Sequence, residues 1–246
     1  MKGWSRWIAD GLFPRNTNPR STNPHDANPH GTDPHGVLPA LLIPLALVTG
    51  LVDAVSYLGL GRVFVANMTG NIVFLGFALA GDPYLSKWAS PLALASFVTG
   101  AWSAGQVTRR MGEARRAFAA ATTVHAALVA AALVVALLAG HEGAGARAAL
   151  IGLLGCGMGL QNASVRGLAV PDLTTNVLTT TLTGLAADVP GRAAFRRFVS
   201  IVAMFLGALA GAALHLTVGP VPAVAAALVL LTSIALIAHR HSRHPT

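Results

Sequence analysis

The chain has 246 residues, 54% of them hydrophobic and only 11% charged, with a mean hydropathy of +0.61. That balance leaves too little polar surface for a soluble globule and predicts an integral membrane protein. The formal net charge of +8 is no nucleic-acid signature, because the basic residues lie in the tails and between apolar runs, where insertion rules place them.

Residues 1–36 hold no apolar core of signal-peptide length, since "WIADGLF" is interrupted by Asp10, and no cleaved targeting peptide is expected. Within them "TNPRS TNPHD ANPHG TDPHG" repeats a pentapeptide with proline in its third place. Such sequence cannot bury a core and predicts a disordered, cytoplasmic Pro/His-rich tail. His25, His30 and His35, like His239, His241 and His244 at the other end, are read as solvated low complexity. No metal and no cofactor is expected.

The membrane domain occupies residues 37–240. Six apolar runs, at about 38–60, 89–107, 118–139, 148–165, 198–217 and 221–238, approach the roughly 20 residues that cross about 30 Å of hydrocarbon. The alternation that a strand barrel needs is absent, so the fold class is all-α, a polytopic transmembrane helix bundle. Two shorter, more polar segments, 64–80 and 172–188, are expected to enter and return as re-entrant or broken helices. The lone Cys156 in "LLGCGMGL" rules out an internal disulfide and reads as a small packing residue.

The two short segments resemble each other: "MTGNIVFLG" pairs with "LTTNVLTTT", and "GLVDA" (50–54) ahead of the first pairs with "GLQNA" (159–163) ahead of the second. "AWSAG" (101–105) likewise pairs with "GALAG" (207–211). The chain reads as two repeats, one over about 38–139 and one over about 147–239. Re-entrant short segments put Arg109, Arg110, Arg115, Arg116, Arg166, Arg192, Arg196, Arg197, Arg240 and Arg243 on the side of both termini and leave Arg62, Lys87 and Arg147 outside. Eight full crossings would instead export the four arginines of "RRMGEARR" (109–116). The positive-inside rule favours the re-entrant arrangement, hence an inverted-topology repeat with both termini cytoplasmic.

Irregular backbone at membrane depth is tolerated where it is buried in protein or lines a wet cavity, and half-helix ends of this kind hold solutes in transporters built from inverted repeats. Asn67, Thr69 and Asn71 in one half, and Thr174, Thr175 and Asn176 in the other, are therefore candidate binding residues, offering amides and hydroxyls without fixed charge. Asp53 lies inside the first span, where an ionised carboxylate is expensive, and is the candidate proton or cation site. Its counterpart is Asn162, beside Gln161. Asp172 and Asp188 read as caps of the second short segment, and His125 and His215 as buried structural histidines.

Taken together, "GLVDAVSYLGLGRVFVANMTGN" and "GLQNASVRGLAVPDLTTNVLTTTLTGLAAD" resemble the two signature stretches of the YoaK-like family of bacterial inner-membrane proteins, which carry a domain of unknown function. The resemblance spans about residues 38–238 and takes in Asp53, Asn67, Thr69, Gly70, Asn71, Gln161, Asn162 and the Thr-rich block. It implies a six-span inner-membrane protein and leaves the substrate open.

The expected partners are the lipid bilayer and a small polar solute or ion; the small-residue pairs Ala101/Gly105 and Gly207/Gly211 are expected to allow close helix contact, and small-residue helix faces leave room for an oligomer. No nucleic acid is expected. Nor is enzymatic chemistry: no phosphate loop and no nucleophile with a base stands out. The leading expectation is a transporter with its site between the two short segments. The alternative is a membrane scaffold or sensor.

Overall fold

The computed structural model describes residues 38–168 and 192–243. The Pro/His-rich tail and the second short segment, with Thr174, Thr175, Asn176, Asp172 and Asp188, lie outside the described residues. Among the described residues seven helices follow in order: α1 (Leu38–Gly59), α2 (Met68–Ala80), α3 (Ala89–Met111), α4 (Ala114–Ala139), α5 (Ala144–Gly167), α6 (Arg192–Thr217) and α7 (Pro220–Arg243). No strand occurs among the described residues.

Five of these helices are long and apolar enough to cross a membrane, at Ala40–Gly59, Ala114–Ala139, Ala144–Gly167, Phe195–Thr217 and Pro220–Ser242. The sixth expected span, α3, has the length but not the apolarity, because serines and threonines interrupt it. Three of them hide their hydroxyls: Thr99, Ser103 and Thr108 donate to the carbonyls of Ala95, Thr99 and Ala104 one turn back. Buried Leu42, Leu45, Val52, Phe118, Ile151 and Leu231 form the core. Phe205, Leu209, Val229, Leu137 and Leu138 stand exposed on the outside, the surface a bilayer covers.

The bundle has a basic end and a far end. Helices α3 and α4 meet at Gly112, whose φ of 65° ends α3 in a left-handed cap. Arg109 of α3 and Arg166 of α5 line one groove there, and His239 of α7 meets Thr123 of α4 at 2.9 Å. At the far end, Gly59 abuts His141 and His215, joining the end of α1, the α4–α5 joint and the end of α6. It follows that α1, α4 and α6 run toward the far end, and α3, α5 and α7 away from it.

Two parallel crossings hold the helices closest. A Cβ added to Gly50 of α1 would strike the carbonyl of Met204 in α6, and one added to Gly207 would strike that of Leu47. On the other side of the bundle, a Cβ on Gly159 of α5 would strike the carbonyl of Phe97 in α3, and one on Gly100 that of Cys156. In each case the glycine pair meets the carbonyl three residues before the facing glycine. Small residues of this kind let backbones approach within a membrane, where packing rather than hydrophobicity drives helix association. The expected face Ala101/Gly105 is off by one residue: Gly105 has open space around it, while Gly100 makes the contact. Gly207 and Gly211 make the expected close helix contact, against Leu47 and Leu51 of α1.

Candidate functional site

The first short segment is a closed excursion from the far end. Just beyond the end of α1 the chain reverses at Gly61 and Arg62, both with positive φ (95° and 56°), a conformation that glycine adopts freely and arginine seldom does. A Cβ on Gly61 would stand 3.9 Å from that of Ser86, and the Arg62 guanidinium lies 5.2 Å from the centre of the Tyr84 ring. The chain thus leaves and returns at one place. Helix α2, 13 residues or about 20 Å long, is too short to cross.

Asp53 anchors the inward leg. Its Oδ1 accepts the backbone N–H groups of Val65 (3.0 Å) and Ala66 (2.8 Å), pinning the extended stretch beside α1 about one and a half turns inside its end. The carboxylate is 5% exposed, and among the described residues it has no cationic partner. Asn71 is fully buried and grips one residue from both sides: Phe64 N–H donates to its Oδ1 at 2.9 Å, and its Nδ2 donates to the Phe64 carbonyl at 2.5 Å. The Phe64 ring stacks between Tyr57 and Phe74, with centroids 5.2 and 5.5 Å away.

The remaining residues of the "NMTGN" stretch do different work. Asn67 is exposed and caps α2, its side chain accepting from Gly70 N–H. Thr69 is exposed. Gly70 leaves room for the Phe64 ring, which a Cβ would meet at 2.9 Å. Asn67 and Thr69 therefore do not join Asp53 and Asn71 in one polar cluster. The outer face of α2 carries exposed Ile72, Val73, Phe77 and Leu79.

A second buried polar junction lies between α1, α4 and α5. Gln161 Nε2 donates to Thr49 Oγ1 at 3.2 Å, and Thr49 donates to the carbonyl of Leu45. Among the described residues the buried Gln161 Oε1 meets no partner, nor do the two ring nitrogens of His125. His125 packs on Gly157, where a Cβ would collide with its ring, and Gln161 stands one turn further along the same face of α5. Sequence reasoning missed Thr49, although its place four residues before Asp53 on one helix face was a usable signal. Asn162 is half-buried and donates to the Met158 carbonyl at 2.8 Å. His215 sits apart at the far end, its ring 5.8 Å from that of His141. Among the described residues no hydrogen bond joins Asp53, His125 and His215, and no three His, Cys, Asp or Glu side chains gather as a metal would require.

These features define a polytopic helical membrane protein in which a short excursion from one end of the bundle is pinned to a buried aspartate. Residues 41–237 match the family described as "Protein of unknown function (DUF1275)". The chain is 37% identical over 155 residues to the UPF0700 transmembrane protein YoaK of Bacillus subtilis (strain 168), covering 62% of this chain and 68% of that one. The chain belongs to this family of transmembrane proteins. No solved structure matches it.

Proposed function

We propose that this protein moves a small polar solute or ion across the bacterial inner membrane, with both termini cytoplasmic and its two halves arranged as an inverted-topology pair. The observation that carries the reading is Asp53. A carboxylate inside a membrane bundle is costly and marks an ion or proton path by default. This one is met by two backbone N–H groups and no described cation. Its position at the inner leg of a re-entrant segment is where transporters with broken helices hold their cargo. Gln161 and Thr49 add neutral donors and acceptors nearby on α5 and α1. Binding and translocation need no covalent step.

Solute uptake or counterflow into proteoliposomes tests this. Asp53→Asn keeps an amide oxygen for Val65 and Ala66 N–H and removes the charge, so the fold should survive and transport should fall at least tenfold. Movement that persists unchanged in Asp53→Asn and in Asn71→Ala would overturn the assignment.

A membrane scaffold or sensor is the second reading, favoured by the outward, apolar face of α2. It predicts that removing residues 1–36 abolishes function while Asp53→Asn is silent.

A further inference from the structure

A groove at the basic end lies between α3 and α5, with a volume of about 360 Å³. Its floor is made by Gly105, Ala163 and Gly167, small residues that leave space between the helices. Arg109 and Arg166, in the last turns of α3 and α5, line it with exposed guanidinium groups. Among the described residues neither one meets a carboxylate. The Gln106 amide, oriented by the hydrogen bonds open to it, accepts from Trp102 Nε1 at 3.2 Å and from Arg109 Nη2 at 2.8 Å, which ties the indole and the guanidinium together.

The occupant follows from what surrounds the charge. Val98, Trp102, Gly105 and Arg109 fall at positions i, i+4, i+7 and i+11 of α3, one stripe of the helix. Val98 and Trp102 are 62% and 64% exposed, so the stripe is an apolar track on the bilayer side ending at a cation. A soluble anion needs the cation and not the track; a lipid needs both. Tryptophan is favoured at headgroup depth, and basic pockets between membrane helices suit phosphate headgroups. We propose that this groove binds an anionic phospholipid, with the phosphodiester between Arg109 and Arg166 and an acyl chain along Val98 and Trp102.

The test is native mass spectrometry of the full chain released from phosphatidylcholine vesicles with and without phosphatidylglycerol. Wild-type protein should retain phosphatidylglycerol over phosphatidylcholine. Arg109→Gln and Arg166→Gln should each weaken retention about fivefold, and the double change about thirtyfold, at the usual contribution of one interfacial cation. Gly105→Leu, which fills the groove in space that is open and leaves both charges, should lose retention as well. Arg110→Gln, at the same end but outside the groove, should keep it. Equal loss in Arg110→Gln would mean diffuse attraction to the basic end and would overturn the proposal. So would retention unaffected by the double change or by Gly105→Leu, or displacement of the lipid by millimolar inorganic phosphate, which would mark the groove as a soluble-anion site.

Discussion

Asn71 explains why an amide stands where a threonine would seem as good: only an amide both accepts from Phe64 N–H and donates to Phe64 C=O. Asn71→Ala strands the two half-buried backbone groups of Phe64, each costing up to roughly 1–3 kcal/mol, while Asn67→Ala removes an exposed cap with a long 3.4 Å bond. Thermal unfolding in detergent should therefore drop clearly for the first change and slightly for the second; equal drops would contradict these separate roles. The sequence singled out Asp53 as a proton or cation site and Asn67, Thr69 and Asn71 as solute-binding residues, whereas the structure gives Asp53 and Asn71 backbone partners and leaves Asn67 and Thr69 exposed. Polar side chains in an apolar chain announce themselves, whereas their partners do not. Asp53 and Asn71 spend their polar atoms on the backbone of Phe64, Val65 and Ala66, whose N–H and C=O groups look alike at every position. The asparagine three residues before Gly70, opening an apolar run, did carry a readable helix-start signal.

At the level of helices, the glycine crossings make a sharp forecast. Gly50→Val and Gly159→Val put side-chain carbons into the carbonyls of Met204 and Phe97, and such overpacking at backbone contact costs at least about 1–3 kcal/mol. Both should lower the yield of monodisperse protein and its melting temperature to a similar degree, with Gly105→Ala unchanged as the comparison. A Gly159 variant that behaves like wild type while Gly50→Val fails would show that the two crossings are not equivalent. The pairs of small residues were visible in the sequence, yet the register of the first was not. Spacing of four suits Ala101/Gly105 as well as Gly100/Ala104, and the choice is made by the facing backbone of α5, which no local pattern encodes. Residues 89–107 were expected as an apolar span, and the hydroxyls that dilute the apolarity of α3 are satisfied inside the helix itself.

Over the whole molecule, the charge pattern was the most legible feature. Arg109, Arg110, Arg115, Arg116 and Arg166 gather at one end and Arg62, Lys87 and Arg147 at the other, as the re-entrant reading of residues 64–80 requires. Cysteines placed at Arg62 and Tyr84, in a Cys156→Ala background, should react with an impermeant thiol reagent from the same face of oriented vesicles, and a cysteine at Met111 from the opposite face. Labelling of positions 62 and 84 from opposite faces would make α2 a crossing helix. What the sequence left hidden is which helix embraces which: α1 pairs with α6 and α5 with α3, so each half lends a helix to the other. Insertion must then proceed with Gly50 already in the bilayer and its mate Gly207 still unmade, and the newborn first half keeps the cleft at Gly50 open to lipid. A protein so laced completes its closest packing only once α6 is in place, so a chain halted between α4 and α6 lacks the partner that Gly50 was shaped to receive.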